Sequence, residues 1–438
     1  MKIPSSLFRS FFPTAFLVLI TTPLTHAAPS APEPEPRRPA VELTWRGGLP
    51  NFFAKLAAGD TIKVGYLGGS ITAANGWRVK SLAWLKGLYP KAKLSEINAA
   101  IGGTGSDLGV FRVGHDVLEQ RPDLMFVEFA VNDGSADPAQ IQQCMEGIVR
   151  QTWKANPLTD ICFIYTVSEP YLADLEAGQF SRAATAMEGV ADHYKIPSIH
   201  MGIEVAKQAK AGTLIFKAPK PKDFHAAGQP MVFSEDGVHP FPETGHELYE
   251  QAIERSMGLL KGIGAAGPHE MIPPLRADNW EKAKLVAIAP SMIKGGWTKL
   301  DPATDSPAKS FQNRVPALWR AEGADATLEF TLHGSNAAVY DLLGPDCGQV
   351  IVKVDDKPEK TVPRIDGYCT YHRLGKLPLL AGAADGTHHI KITLSGQAPD
   401  KAHILFEKNR PEMEKNLARY QPNRWYVGGL MVIGEVAD

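Results

Sequence analysis

The 438-residue sequence has only four cysteines, Cys144, Cys162, Cys347 and Cys369. None stands at metal-ligand spacing, so a zinc-stapled scaffold is excluded. Charge of one sign is scarce too. With 46 Lys and Arg against 48 Asp and Glu, the net charge is -2. The signs are interspersed, so there is no basic patch to hold nucleic acid and no acidic tail. Beyond the N-terminus no stretch approaches the ~20 consecutive apolar residues a membrane span requires. What is present is ordinary globular material, 44% hydrophobic and 21% charged, long enough for two or three domains with cores of their own.

Lys2 and Arg9 precede an apolar run from Phe11 to Leu24, and Thr25-His26-Ala27-Ala28 offers small residues for cleavage. Residues 1–28 are therefore expected to be a secretory signal peptide, short for a membrane span and interrupted by Pro13 and Pro23, with an uncleaved anchor as the alternative, and the mature protein to be secreted or periplasmic. Residues 29–45 begin Pro-rich and charged and are expected to form an extended tether. In such a compartment Cys347 and Cys369 are candidates for a disulfide closing a loop of about 20 residues, worth about 3 kcal/mol in the chain-entropy account. Spacing alone leaves that pairing open.

The central stretch is Val64-Gly65-Tyr66-Leu67-Gly68-Gly69-Ser70-Ile71-Thr72. Its apolar run predicts a buried strand entering a tight turn, and Trp77 to Tyr89 has helical spacing. Ser70 thus falls at a strand-to-helix junction, where a hydroxyl is presented and backbone N–H groups face developing negative charge. Further strands are predicted at 93–100, 122–134, 160–167 and 198–200, alternating with helices ending near 119, 156, 193 and 260. That alternation predicts a parallel sheet covered on both faces over residues 46–262. Ligands in such sheets sit beyond the carboxyl ends of the strands, where Ser70, Gly103 and Asn132 fall. Asp236 and His239, three apart before the last helix, allow a carboxylate to orient one imidazole nitrogen while the other faces a serine. Taken singly, each has an ordinary reading as a cap, turn or packing residue. Together they place a nucleophile, two kinds of N–H donor and a base with its orienter at successive strand ends.

These blocks resemble the SGNH (GDSL-type) hydrolases. The likeness covers about Ile62 to Leu260 and lies in Leu67-Gly68-Gly69-Ser70-Ile71-Thr72, Asn98-Ala99-Ala100-Ile101-Gly102-Gly103, Phe129-Ala130-Val131-Asn132-Asp133 and Asp236-Gly237-Val238-His239-Pro240. The resemblance implies a flavodoxin-like three-layer α/β/α fold, with Ser70 as nucleophile, His239 as general base and Asp236 as its orienter. It also implies an oxyanion hole from the Ser70 and Gly103 N–H groups and the Asn132 side chain, with no metal or organic cofactor. Gly102 is the weaker glycine, because the family's glycine follows the block's asparagine, here Asn98, by five. The chain departs from the family pattern at Gly69, where Asp is usual, and at Ala130, where Gly is usual. Glu128 and Glu169, near strand ends, are expected on a polar rim, with contact to substrate as the alternative. His115, His193, His200, His225, His246 and His269 are expected to be structural.

Gly262 to Pro268 marks a boundary, and 263–285 is expected to be a linker. Beyond it, short alternating runs at 326–334, 337–343, 349–355, 388–394 and 424–433 predict an antiparallel β-sandwich over 286–438. It resembles the jelly-roll accessory domains of carbohydrate-active esterases. Trp297, Trp319, Tyr368, Tyr371 and Trp425 are its candidates for stacking on sugar rings. The expected function is a secreted serine esterase that removes O-acetyl or other small acyl groups from a polysaccharide or glycan through an acyl-Ser70 intermediate. The rivals are a lipase or phospholipid acylhydrolase with the same triad, disfavoured by the lack of a long apolar lid segment, and a catalytically inactive glycan-binding module.

Overall fold

The computed structural model describes residues 37–437. The expected signal peptide and residues 29–36 of the expected tether lie outside the described residues. Residues 38–44, expected in the tether, are instead built into the first unit: Phe180 N–H donates to Arg38 O, Ala40 N–H donates to Gly178 O, both at 2.8 Å, and Leu43–Thr44 (β1) adds an antiparallel edge strand. Arg46 then pairs with Glu188 at 2.6 Å.

The first unit alternates as the apolar pattern requires. The chain runs through α1 (Pro50–Ala58), β2 (Thr61–Gly68), α2 (Ser70–Ala73), α3 (Trp77–Leu88), β3 (Lys93–Asn98) and α4 (Ser106–Asp116). It continues with β4 (Leu124–Glu128), α5 (Pro138–Ala155), β5 (Asp160–Tyr165), α6 (Glu169–Glu176), α7 (Arg182–Tyr194), β6 (Ser198–His200) and α8 (Gly202–Lys210). A parallel two-stranded ladder, β7 (Leu214–Lys217) with β8 (Met231–Ser234), and α9 (Gly245–Leu260) complete it. Helix starts follow local chemistry. α5 has Pro138 in its first turn, and Asp137 Oδ1 accepts from Ala139 N–H at 2.7 Å, which satisfies one orphan donor.

Strands β2 to β6 are parallel in the order β3-β2-β4-β5-β6, the flavodoxin-like order in which the connection reverses between β2 and β4. Every residue of β4 and β5 is buried, because both faces are covered. Alternate side chains feed two cores. Val64, Tyr66 and Phe126 face α1, α3, α8 and α9. Leu67, Met125 and Val127 face α4, α5 and α7.

The segment expected to be a linker is pinned to this unit. Buried Glu146 accepts from the backbone N–H groups of Leu275 and Arg276, and His269 Nε2 lies 2.8 Å from Asp160 Oδ1. β9 (Ala283–Val286) then begins a ten-stranded antiparallel sheet completed by β10 (Ile293–Lys294), β11 (Trp297–Lys299), β12 (Trp319–Glu322), β13 (Thr327–Leu343), β14 (Gln349–Val354), β15 (Lys360–Pro363), β16 (Arg373–Leu380), β17 (Gly386–Leu394) and β18 (Arg424–Ala437). The short helix α10 (Ser306–Phe311) lies between β11 and β12. The runs at 326–334 and 337–343 are one strand interrupted by a bulge near Gly334, and the run at 424–433 lies within the single strand β18. Trp280 packs on Phe111 of α4 with ring centroids 5.5 Å apart. Val315, Leu318, Tyr340 and Met431 share one apolar core with α4 and α5, so the two sheets are joined by an apolar interface rather than by a tether.

All four cysteines are buried free thiols. The candidate Cys347–Cys369 disulfide is not formed. Each sulfur has a separate local partner, Leu342 O for Cys347 at 3.6 Å and Asp366 Oδ1 for Cys369 at 3.2 Å. Among the described residues, no helix is long and apolar enough to cross a membrane.

Candidate active site

The site lies where the sheet order reverses. β2 ends at Gly68, and Ser70 opens α2, so its N–H has no acceptor within the helix. The glycines before it are required by close approach. A Cβ at Gly68 would stand 2.8 Å from Glu128 O, and one at Gly69 would stand 2.0 Å from Asn132 Oδ1. Asn132, in the turn after β4, therefore occupies the space that a side chain at position 69 would need. This gives the departure at Gly69 a steric reason.

Glu128 is not on a polar rim. It is 1% exposed and lies beneath the nucleophile turn, accepting from Thr72 Oγ1 at 2.9 Å and Thr166 Oγ1 at 2.8 Å, and from the Gly69 N–H. Burial pushes its carboxyl up against these bonds. Glu169 does sit at the surface, its Oε2 2.9 Å from Lys217 Nζ, and its N–H holds Gly237 O at 2.8 Å.

The turn after β8 carries the remaining pair. Gly237 takes φ +80°, a conformation glycine adopts without cost, and its N–H donates to buried Ser234 Oγ at 3.0 Å. Asp236 Oδ1 accepts from the N–H groups of Val238 and His239 at 2.9 and 2.8 Å. Its Oδ2 lies 2.6 Å from His239 Nδ1, and His239 Nε2 lies 2.8 Å from Ser70 Oγ. Partial burial works to raise the Asp236 pKa, but the hydrogen bonds from the His239 ring and the two backbone amides prevail and hold it at about 2. The carboxylate is thus ionised wherever the imidazole needs orienting.

Gly103 follows β3 with φ +73° and lines the same cavity as Ser70, Asn132 and His239. Gly102 packs against the serine, since a Cβ there would meet Ser70 Cβ at 3.5 Å. Buried Asp133 ties two of these loops together. Its Oδ1 accepts from Ser106 N–H at 3.0 Å, at the start of α4, and burial pushes its carboxyl up to about 7.

The cavity, of about 720 Å³, has a second wall from the β-domain: Arg314, Tyr368, Tyr371, His372 and Arg373. None of these was assigned to the site from sequence, although the two tyrosines stood among the sugar-stacking candidates. Tyr368 and Tyr371 are 50% and 55% exposed, whereas Trp425 is fully buried, its Nε1 donating to Asp341 at 3.0 Å. The Arg373 guanidinium lies 5.1 Å over the Tyr368 ring and pairs with Asp366 at 2.7 Å. His372 Nε2 lies 2.6 Å from Asp346. Asp346 and His372 approach Cys347 closely enough to suggest a metal cluster, but Asp346 is already saturated by His372, Tyr426 and Arg424.

The other histidines have partners elsewhere. His115 pairs with Asp116, His193 with Pro273 O and His269 with Asp160. His225 is exposed. Buried His246 accepts from Trp77 N–H at 3.1 Å, and burial, with Lys80 and His239 nearby, pushes it down to about 4. His200, stacked on Phe180, is pushed down to about 3 by burial. A depressed histidine pKa means that the unfolded chain binds the proton first. The stability of the neutral folded form is complete above pH 6.5 and lost as pH falls toward 3, at about 1.4 kcal/mol per pH unit. Replacing His200 by Gln removes that dependence. The stability gap between wild type and His200→Gln in urea denaturation should therefore narrow by about 2–3 kcal/mol between pH 7.5 and 4.5. A pH-independent gap would show that His200 protonates freely in the folded protein.

A serine contacting a carboxylate-oriented imidazole at the switch point of a flavodoxin-like sheet is the arrangement of a serine hydrolase site. Residues 66–246 match the GDSL-like Lipase/Acylhydrolase family, and this part of the chain is a GDSL-like lipase/acylhydrolase domain. No curated protein matches the sequence. Two crystal structures of a two-domain esterase active on acetylated mannans, one co-crystallized with mannopentaose, align with a TM-score of 0.68, at 19% identity for the mannopentaose structure and 20% for the other. The alignments cover 91% of this chain and 98% of that one, so the likeness of fold extends over both units.

Proposed function

We propose that the protein is a serine esterase that removes acetyl or other small acyl groups from a polysaccharide or glycan outside the cytoplasm. The observation that carries this reading is the continuous Asp236–His239–Ser70 contact opening into a cavity walled by both units. His239 Nε2 takes the Ser70 proton as Oγ attacks the ester carbonyl carbon. The Ser70 and Gly103 N–H groups and the Asn132 amide hold the oxyanion. The intermediate collapses as His239 gives the proton to the departing sugar oxygen, which leaves as a hydroxyl, with acyl-Ser70 remaining. Water, deprotonated by His239, adds to that ester, and collapse releases the carboxylic acid and regenerates Ser70.

The glycan reading is supported by the exposed Tyr368 and Tyr371 on the β-domain wall, flat surfaces of the kind that stack on sugar rings. Activity on acetylated mannan in the two-domain esterase of like fold is consistent with it. Secretion is supported by the signal-like N-terminus.

The test is hydrolysis of p-nitrophenyl esters of increasing acyl length, followed by acetylated mannan and xylan. Activity should be highest on acetate and fall steeply with length, and Tyr371→Ala should raise KM on the polymer about 5–20-fold, the equivalent of one stacking contact, with acetate ester turnover little changed. Activity rising toward long acyl chains would favour a lipase instead, and none on any ester would favour a glycan-binding module.

A further inference from the structure

The oxyanion loop is held from two sides, and one of them is the second unit. In the run from Ala99 to Gly103 the Ile101 N–H donates to Gly68 O at 2.9 Å, two residues before the nucleophile. The carbonyl of the same peptide, Ala100 O, accepts from Arg314 Nη1 at 3.0 Å. The plane of this peptide is thus set by the nucleophile strand on one edge and by an arginine 214 residues away on the other. Arg112 from α4 holds the preceding carbonyl, Ala99 O, and Thr104 Oγ1 holds the following one, Ile101 O, at 2.8 Å. With three successive carbonyls engaged, the path into Gly102 and the left-handed Gly103 is over-determined.

Arg314 is placed for this and has no ionic alternative. It follows α10, its N–H donates to Phe311 O at 2.8 Å, and the adjacent Val315 is buried in the core shared by the two units. Among the described residues no carboxylate pairs with it, and its hydrogen bond to Ala100 is charge-assisted. Burial, with Arg112 nearby, pushes its pKa below the usual arginine value. The guanidinium is half-buried, and Asp116, already paired with Arg112, offsets the cost only from beyond ion-pair distance.

We propose that Arg314 is a positioning residue for the esterase reaction: by holding Ala100 O it sets the direction of the Gly103 N–H, so the oxyanion hole is complete only when the β-domain is docked. This inference rests on the reading of Gly103 as an oxyanion donor given above.

Removing one oxyanion donor costs about 10²–10³ in rate, and misdirecting one should cost somewhat less. On p-nitrophenyl acetate, Arg314→Ala is expected to lower kcat about 10–100-fold with KM within about threefold of wild type. The inhibition constant of methaneboronic acid, which adds to the serine as a tetrahedral mimic, should rise by the same factor as kcat/KM falls. Arg314→Lys, which keeps a cationic donor, should recover most of the loss, and Arg314→Gln, a neutral donor of shorter reach, part of it. These two variants keep the test open if the alanine protein does not fold. An unchanged kcat, a loss confined to KM, or a fall in kcat without weaker boronate binding would overturn the proposal. So would equal defects in the Lys, Gln and Ala variants. A wild-type protein inert toward all esters would instead fail the esterase reading itself, whereas loss of activity in Ser70→Ala with none in Arg314→Ala would leave that reading standing and remove only this one.

Discussion

Ser70→Ala is expected to lower kcat on p-nitrophenyl acetate by about 10⁵–10⁶, the range seen when a triad nucleophile is removed. The size of the effect follows from the contacts. Ser70 Oγ is the atom 2.8 Å from His239 Nε2, and without it no covalent path exists. The oxyanion donors remain and would support only a residual reaction by water. Folding should be little affected. Ser70 sits at the first position of α2 and its hydroxyl bonds His239, and its loss leaves Glu128 bonded to Thr72 and Thr166 beneath the turn. The check pairs steady-state kinetics with mass spectrometry of the acid-quenched enzyme. An acyl adduct on the Ser70 peptide in wild type and none in the variant is the expected result. Activity that survives the substitution would remove the proposed mechanism.

The second large effect is expected at Asp236. Asp236→Asn should lower kcat about 10⁴-fold, with only a modest loss of thermal stability because the carboxylate is half exposed. Oδ1 can remain the acceptor for Val238 and His239 N–H when the other oxygen becomes an amide, so the turn survives. The amide N–H₂ then points at His239 Nδ1, where a carboxylate had accepted, and the imidazole is driven to the tautomer that carries its proton toward Ser70. The pH profile separates this from a charge effect. A depressed carboxylate pKa gives stability that is present above the unfolded value of 3.8 and lost as pH falls through about 2. Asp236 therefore stays ionised through the working range, and the deficit of the Asn variant should persist up to pH 9. A deficit that disappears at high pH would argue against an orienting role.

The parallel-sheet unit was legible because its strands are buried on both faces. β4 and β5 read as continuous apolar runs, and α5 and α7 carry strong one-sided periodicity. The site blocks were legible because each lies within a few residues of a strand end. The edge strand β1 and the short pair β7 and β8 were not, since two to four residues carry too little pattern. Glu128 was misplaced for a related reason. A carboxylate at the end of an apolar strand has the same local sequence whether it meets water or three buried donors, and only Thr72, Thr166 and the Gly69 amide, brought from elsewhere, settle which.

The sequence by itself determined the strand-and-helix order, the change of texture near residue 262 and the short-range geometry that lets Asp236 orient His239, because these depend on periodicity and on contacts a few residues apart. Tertiary structure decided that the segment after 262 is bound rather than loose, that Cys347 and Cys369 stay apart, and that Arg314, Tyr368, Tyr371 and Arg373 wall the serine's cavity. The linker and cavity contacts join residues more than a hundred apart in the chain. They come from the burial of one apolar face against another, and local sequence does not encode which distant face will be met.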